Sequence, residues 1–214
     1  MFYYLLAPLG KKWLFFNLFN YISFRAAGAT VTALLIAFVV GPGVIRRLRA
    51  HKVGQVFRAE GPGSHQSKRG TPTMGGLIIL LATVVPTLLW AQLDNRFVLV
   101  ALLAILWMGA IGFVDDYLKI VQGKSPGLVA KWKLVGQCGF GILLGLLLLV
   151  EPVVAETTLP ATATTLPFLK YLVVNFAPLL FVLFVTTVIT GSSNAVNLTD
   201  GLDGLATGLA AVAV

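Results

Sequence analysis

Charge is what this chain has least of. Asp, Glu, Lys and Arg make up 11% of its 214 residues, against about a quarter in a soluble domain. With 57% of its residues hydrophobic, the chain lacks the polar groups that would cover a water-soluble globule. Cysteine occurs once, as Cys138, which excludes an intramolecular disulfide. That residue lies in an apolar stretch and reads as a packing residue. The two histidines, His51 and His65, have no cysteine or second histidine at metal-ligand spacing and read as solvated loop residues. The apolar start, Met1–Gly10, precedes Lys11–Lys12, the reverse of the charge order in a cleavable signal peptide, and no such peptide is predicted. Acids are also half as numerous as bases, eight against sixteen, for a net charge of +8. An excess of this size suits nucleic acid in principle. Here the bases gather in two loops between apolar runs, the pattern of a membrane protein, so no nucleic-acid partner is expected.

What the chain has in quantity is long apolar stretches, recurring at about the 20 residues that cross a bilayer as a helix. Tyr3–Phe24 is aromatic-rich and broken by Pro8, Gly10 and Lys11–Lys12, as expected of an interfacial or entry segment. Spans are predicted over Ala26–Ile45, Gly75–Ala91, Phe97–Val114, Leu134–Val150 and Tyr171–Thr190, with Gly41-Pro42-Gly43 loosening the end of the first. Gly204–Val214 opens a sixth apolar helix of only two or three turns. The expected fold is all-α: one integral-membrane domain over 1–214, a polytopic transmembrane bundle of about five full spans and a truncated sixth.

Loops of such a bundle alternate sides. Those at 46–74 and 115–133 hold eleven of the sixteen Lys and Arg, so their common side is predicted to be cytoplasmic, together with 191–203. The N-terminus and the Thr/Pro-rich 151–170 connection then lie outside.

Against this apolar background the polar constellations stand out. Asp115 and Asp116 sit where the third span breaks off, with Lys119 one helical turn later. An Asp at mid-bilayer costs about 2.5–3.5 kcal/mol on insertion scales, so a pair at the boundary reads as a site. Adjacent carboxylates diverge by about 100° on a helix, which lets one face a metal and the other a reacting group. Lys119 reaches either, and the oxygen donors suit Mg²⁺. The plainer reading is a solvated helix end with an ion pair. Asn194, Asn197, Asp200 and Asp203 recur every third residue beside Gly201 and Gly204, along one side of a helical turn. They can read a base or sugar through amide and carboxylate hydrogen bonds. Thr199 or Asp200 also serves as an N-cap for the last helix. Ser67–Gly76 joins Lys68 and Arg69 to Thr71, Thr73 and glycines, a phosphate-holding composition that doubles as a positive-inside anchor. Lys131-Trp132-Lys133 is an interface anchor with a minority anion-binding reading. Gly123-Lys124-Ser125 has the tail of a P-loop, but Leu118 stands where its first Gly belongs, which rules the motif out. Gly141-x-x-x-Gly145 fits a close helix contact.

Three of these segments, Ser-Lys-Arg-Gly-Thr-Pro-Thr-Met-Gly-Gly (67–76), Gly-Phe-Val-Asp-Asp-Tyr-Leu-Lys (112–119) and Asn-Ala-Val-Asn-Leu-Thr-Asp-Gly-Leu-Asp-Gly (194–204), resemble the phospho-N-acetylmuramoyl-pentapeptide-transferase family. That family is a branch of the polyprenyl-phosphate sugar-1-phosphate transferases. Order, spacing and membrane placement agree over the whole chain, which corresponds to somewhat more than the front half of the family's length. The resemblance implies a usually dimeric enzyme of ten spans in the bacterial inner membrane, its active face cytoplasmic. It would transfer phospho-MurNAc-pentapeptide from UDP-MurNAc-pentapeptide to undecaprenyl phosphate, giving lipid I and UMP, with Mg²⁺ required.

By motif, Asp115 corresponds to the base that deprotonates the lipid phosphate, and Asp116 supports that site or the diphosphate. Lys68, Lys119 and Lys131 would neutralise phosphate charge. Thr73 belongs to the first substrate-binding segment, Asn197 and Asp200 line the nucleotide region, and Asp203 is a neighbouring polar group. No residue is assigned as the metal ligand: the resemblance puts the main magnesium aspartate, and a His-rich motif, beyond residue 214. The chain as given is therefore expected to be catalytically incompetent. Competing readings are a relative using UDP-GlcNAc, a transporter with Asp proton relays, and a fragment that only binds partners. A transporter would carry acids deep within its spans and repeated halves; here the acids sit at span ends and no repeat is evident.

Overall fold

Four helices long and apolar enough to cross a membrane are present in the computed structural model, which describes residues 1–50, 74–122, 127–150, 160–166, 169–199 and 205–213. The described residues fall into two compact units, Met1–Val129 and Ala130–Val214.

The first unit begins with a short helix α1 (Phe2–Leu6) and two 3₁₀ segments, Ala7–Lys11 and Leu14–Asn20. Helix α2 (Ile22–Leu35) runs through a π-helical stretch, Ile36–Val40, directly into α3 (Gly41–Ala50). The first span is thus longer than the 26–45 expected, and Gly41-Pro42-Gly43 does not end it. Pro42 has no N–H for the carbonyl four residues before it, and the helix absorbs that loss by widening one turn earlier. Arg46 and Arg47, expected in a loop, are on α3. Helix α4 (Gly76–Trp90) has 15 residues, about 22 Å at 1.5 Å per residue and short of a full crossing. Helix α5 (Arg96–Gln122) has 27 residues, about 40 Å, longer than the ~30 Å hydrocarbon core. Asn95 starts it, its side-chain oxygen accepting the Phe97 N–H at 2.9 Å.

The aromatic N-terminal segment packs onto α2 and the end of α4. Phe19 stacks on Trp90 with centroids 5.8 Å apart, Phe2 and Phe24 meet the same ring edge-on, and the Trp90 Nε1–H donates to Thr32 Oγ1 at 3.0 Å. Gly28 leaves room for that ring, since a Cβ there would lie 2.5 Å from it. Arg25, on α2, is buried, and a buried charge needs partners. It donates to the Phe19 carbonyl at 3.1 Å and to Gln92 Oε1 at 3.2 Å, and its guanidinium lies 4.6 Å from the centre of the Tyr3 ring. Tyr4 donates to the Asp94 carboxylate, which raises the phenol's pKa, and accepts the Asp94 N–H at 2.9 Å. The turn between α4 and α5, which its Asp94 and Arg96 mark in the sequence only as a loop, is a fastening point for the N-terminus.

In the second unit, α6 (Ala130–Val150) pairs antiparallel with α7 (Pro178–Thr199), and α8 (Leu205–Ala213) follows. Between α6 and α7 lies a hairpin of β1 (Ala163–Leu166) and β2 (Leu169–Asn175), antiparallel with a register shift at Thr165/Leu166. This corrects the expected fifth span, which was to begin at Tyr171. The run Tyr171-Leu172-Val173-Val174 is β-branched and aromatic, and Val173, Val174 and Asn175 pair with Thr165, Thr164 and Ala163, while Pro178 opens the helix at its first turn. The span is displaced toward the C-terminus rather than lost. Its far end also differs, since Asn194 and Asn197 lie on α7 and not in a turn.

The α6/α7 contact is built on small residues. A Cβ on Gly141 would come within 2.6 Å of the Thr186 Cα, and one on Gly145 within 3.0 Å of the Val182 Cα. These glycines let the two backbones meet, as their spacing suggests. Polar groups continue the seam: Gln137, buried, donates to Ser193 Oγ and accepts from Asn194 Nδ2, both at 2.9 Å. Gly141→Leu is expected to destabilise this pair by about 1–3 kcal/mol, the usual cost of overpacking. Cys138, 3.7 Å from Thr190 Oγ1 across the same seam, reports on it. Maleimide labelling of Cys138 in detergent should be faster in the variant, and an unchanged rate would show that the seam is not closed there.

Candidate functional site

Asp115, Asp116 and Lys119 lie on the last turns of α5, at about the depth where roughly 20 residues counted from Arg96 have crossed the bilayer. The expected 115–133 loop is correspondingly shorter. Helix α5 continues to Gln122 and α6 starts at Ala130, placing Lys131 on the first turn of α6. A helical backbone, rather than a loop, therefore fixes the spacing of the three charged groups.

That spacing is used in full. The Lys119 ammonium lies 2.7 Å from Asp115 Oδ2 and 3.1 Å from Asp116 Oδ1, bridging the pair. Each remaining carboxylate oxygen accepts a backbone N–H from another part of the first unit. Leu128 donates to Asp115 Oδ1 at 2.8 Å, and Met74 donates to Asp116 Oδ2 at 3.1 Å. Met74 holds a left-handed backbone with φ of 71°, a conformation uncommon for a residue with a Cβ. It directs its N–H at Asp116 immediately before α4 begins. Asp115 is 9% exposed at the side chain, whereas Asp116 is 30% and Lys119 34% exposed. The two carboxylates are thus unequal: Asp115 is enclosed, and Asp116 and the ammonium face outward.

In the second unit, α6 and α7 run antiparallel, so Lys131 near the start of α6 and Asn197 near the end of α7 belong to the same end of that pair. Both are exposed. Asn194 is turned into the helix seam, its Nδ2 serving Gln137 Oε1 and the Thr190 carbonyl at 2.9 and 2.8 Å. Of the Asn/Asp series, Asn194 is structural and Asn197 is presented. Lys68, Thr73, Asp200 and Asp203 lie outside the described residues.

Two contributors to the site escaped the sequence reading, the backbone N–H groups of Met74 and Leu128. Their only signals were the adjoining glycines, Gly75-Gly76 and Gly127, which mark bends without saying what the bent backbone touches. Among the described residues no three of His, Cys, Asp and Glu gather as a metal-ligand group. The donor set is the carboxylate pair itself, within the one or two carboxylates Mg²⁺ takes when water and phosphate complete its shell. Each of the four oxygens of the pair already accepts from Lys119 or a backbone N–H, so an ion would bind only where Lys119 gives up its place, at the more exposed Asp116.

A bridging ammonium, a half-open carboxylate and an enclosed one thus stand together on the last turns of a helix long and apolar enough to cross a membrane. The chain belongs to glycosyl transferase family 4, whose profile matches residues 98–214. Residues 68–80 match signature 1 of phospho-N-acetylmuramoyl-pentapeptide-transferase. Proteins of that name are similar throughout: one from Gemmatimonas aurantiaca is 54% identical over 222 residues, covering 100% of this chain and 58% of the relative. Another, from Endomicrobium trichonymphae, is 52% identical over 208 residues, covering 97% and 56%. A third, from Geobacter sp. strain M21, is 48% identical over 212 residues, covering 99% and 57%. The chain spans somewhat more than half the length of the curated relatives it matches.

Removing the bridge should be costly. Lys119→Met leaves the enclosed Asp115 with only the Leu128 N–H among these partners. The expected loss is about 1–3 kcal/mol, the range for hydrogen bonds to charged groups. Thermal unfolding in detergent, followed by circular dichroism, measures it. A variant as stable as the parent would mean that the ammonium does not support the pair.

Proposed function

We propose that this chain takes part in transferring phospho-MurNAc-pentapeptide from UDP-MurNAc-pentapeptide to undecaprenyl phosphate, forming lipid I and UMP. The observation that carries the reading is the Lys119 ammonium shared between two carboxylates at the end of α5. The 68–80 signature and the names of the relatives support the pentapeptide donor over UDP-GlcNAc. The charge pattern supports a cytoplasmic face for this site in a bacterial inner membrane.

The chemistry follows from the unequal pair. An arriving lipid phosphate brings negative charge to the exposed side of the cluster, where Lys119 and Asp116 already stand. The ammonium can turn from the carboxylates to the phosphate, exchanging one anionic partner for another at little electrostatic cost. That movement uncovers Asp115 Oδ2, which accepts the proton of the lipid phosphate monoester. The deprotonated phosphate oxygen then attacks the sugar-bearing phosphorus of the diphosphate. The bond to the uridine-side phosphate breaks, and UMP leaves. The Leu128 and Met74 N–H groups hold the two carboxylates in place throughout. Mg²⁺ would supply positive charge against the diphosphate when bound, and Asp116 Oδ1, vacated when Lys119 turns away, is the oxygen of the pair that would help to hold it. Asn197, exposed at the end of α7, is assigned to the nucleotide, with Asp200 and Asp203 beyond it and Lys68, Thr73 and Lys131 as further phosphate contacts. Membrane lipids surround the apolar helices, and a homodimer is the expected assembly.

The test is binding of UDP-MurNAc-pentapeptide to the chain in detergent with Mg²⁺, with UDP-GlcNAc as competitor and UMP release followed in parallel. Asn197→Ala is expected to weaken binding about tenfold, the loss of one or two hydrogen bonds. Asp115→Asn should leave affinity within about twofold while removing any UMP release, as for a group used in the transition state. Equal competition by UDP-GlcNAc would move the assignment to the related GlcNAc-1-phosphate transfer. Absence of saturable binding by the folded chain would reject it.

A further inference from the structure

Gly127 stands at the entry to α6, and the space its side chain would need is already occupied. A Cβ there would collide with the Asp115 carbonyl oxygen and lie 2.7 Å from both Asp115 Oδ1 and Lys119 Cγ. Two of these three are a backbone atom and a carboxylate oxygen fixed by other bonds, so neither can swing aside. The Gly127 backbone lies outside the left-handed region, so glycine is needed here for space and not for conformation. The close approach has one visible product. The next residue, Leu128, donates its N–H to Asp115 Oδ1 at 2.8 Å.

We propose that Gly127 is a positioning residue for the carboxylate pair, its absent side chain letting the Leu128 N–H latch Asp115 in a single orientation. The latch explains how Asp115 keeps its place when Lys119 leaves it. Of its two oxygens, Oδ2 is held by a side chain that can move and Oδ1 by a backbone group that cannot. Any residue with a Cβ at 127 moves the Leu128 N–H away and removes the backbone bond that orients Asp115 Oδ1. The consequence for catalysis rests on the proposed transfer reaction; the latch itself does not.

Hydrogen–deuterium exchange of the Leu128 amide, in the 214-residue chain held in lipid nanodiscs, reads the latch directly. Gly127→Ala should speed that exchange at least about tenfold, with α5 and α6 peptides unchanged, as for a local opening. Asp115→Leu, which adds no heavy atom beside Gly127 and removes the acceptor, should do the same and keeps the test decisive where Gly127→Ala does not fold. The double variant should exchange no faster than either single one, because both remove the same bond. Leu128→Ala, which keeps the N–H, should exchange as the parent does. Unchanged exchange in Asp115→Leu, or additive effects in the double variant, would overturn the proposal. Where lipid I formation is followed, Gly127→Ala should lower kcat about tenfold or more with KM for the UDP-sugar within about twofold. A parent chain that forms no product agrees with the incompetence expected of the chain as given, and the exchange result alone then decides the latch.

Discussion

Two carboxylates at the end of an apolar helix must have their charge matched from within the protein or sit in open water. Asp115 takes the first course and Asp116 stands between the two. The helical repeat lets one ammonium serve both, because Lys119 is four residues from the first and three from the second. That leaves one oxygen on each carboxylate. Backbone N–H groups from opposite sides of α5 in sequence, at Met74 and Leu128, supply the remainder. The start of α4 and the approach to α6 are both bent toward the pair, so the local chain path follows from where the charge sits.

The same rule governs the other polar groups in apolar surroundings. Arg25 is buried with a carbonyl, an amide and an aromatic face around it. Gln137 is buried with Ser193 and Asn194. Gln137 differs in consequence, since its bonds cross from one helix to another and fix the sliding register of α6 on α7. Gly141 and Gly145 set how closely those helices approach, and Gln137 sets where along each other they stop. The rotation of α7 follows, turning Asn194 inward and leaving Asn197 exposed.

Most of the helices could be read from apolar run length, because crossing a bilayer imposes a length that composition alone reveals. The errors arose where two signals overlapped. Tyr171–Val174 is apolar enough for a span but β-branched and aromatic enough for a strand, and its pairing partner at 163–166 lay in a Thr-rich segment with no hydrophobic signal. Gly41-Pro42-Gly43 was expected to loosen the end of the first span, and the helix instead continues through it after a π-helical turn. At the site, Asp115, Asp116 and Lys119 were legible because charge in an apolar chain is conspicuous and its spacing is helical. The backbone partners of the two carboxylates were not legible, because they lie 42 and 13 residues away. A backbone N–H leaves no mark in a sequence except through the glycines that let it come near.

The central claim is that the Lys119–carboxylate cluster receives a lipid-borne phosphate. Phosphorus-31 NMR of undecaprenyl phosphate in nanodiscs tests it most directly, with the chain added and then replaced by Lys119→Met and Asn197→Ala. A shifted phosphate resonance is expected with the parent chain and with Asn197→Ala, returning to the free position with a folded Lys119→Met. The same shift with Lys119→Met would place the lipid phosphate elsewhere and rule out Lys119 as its partner.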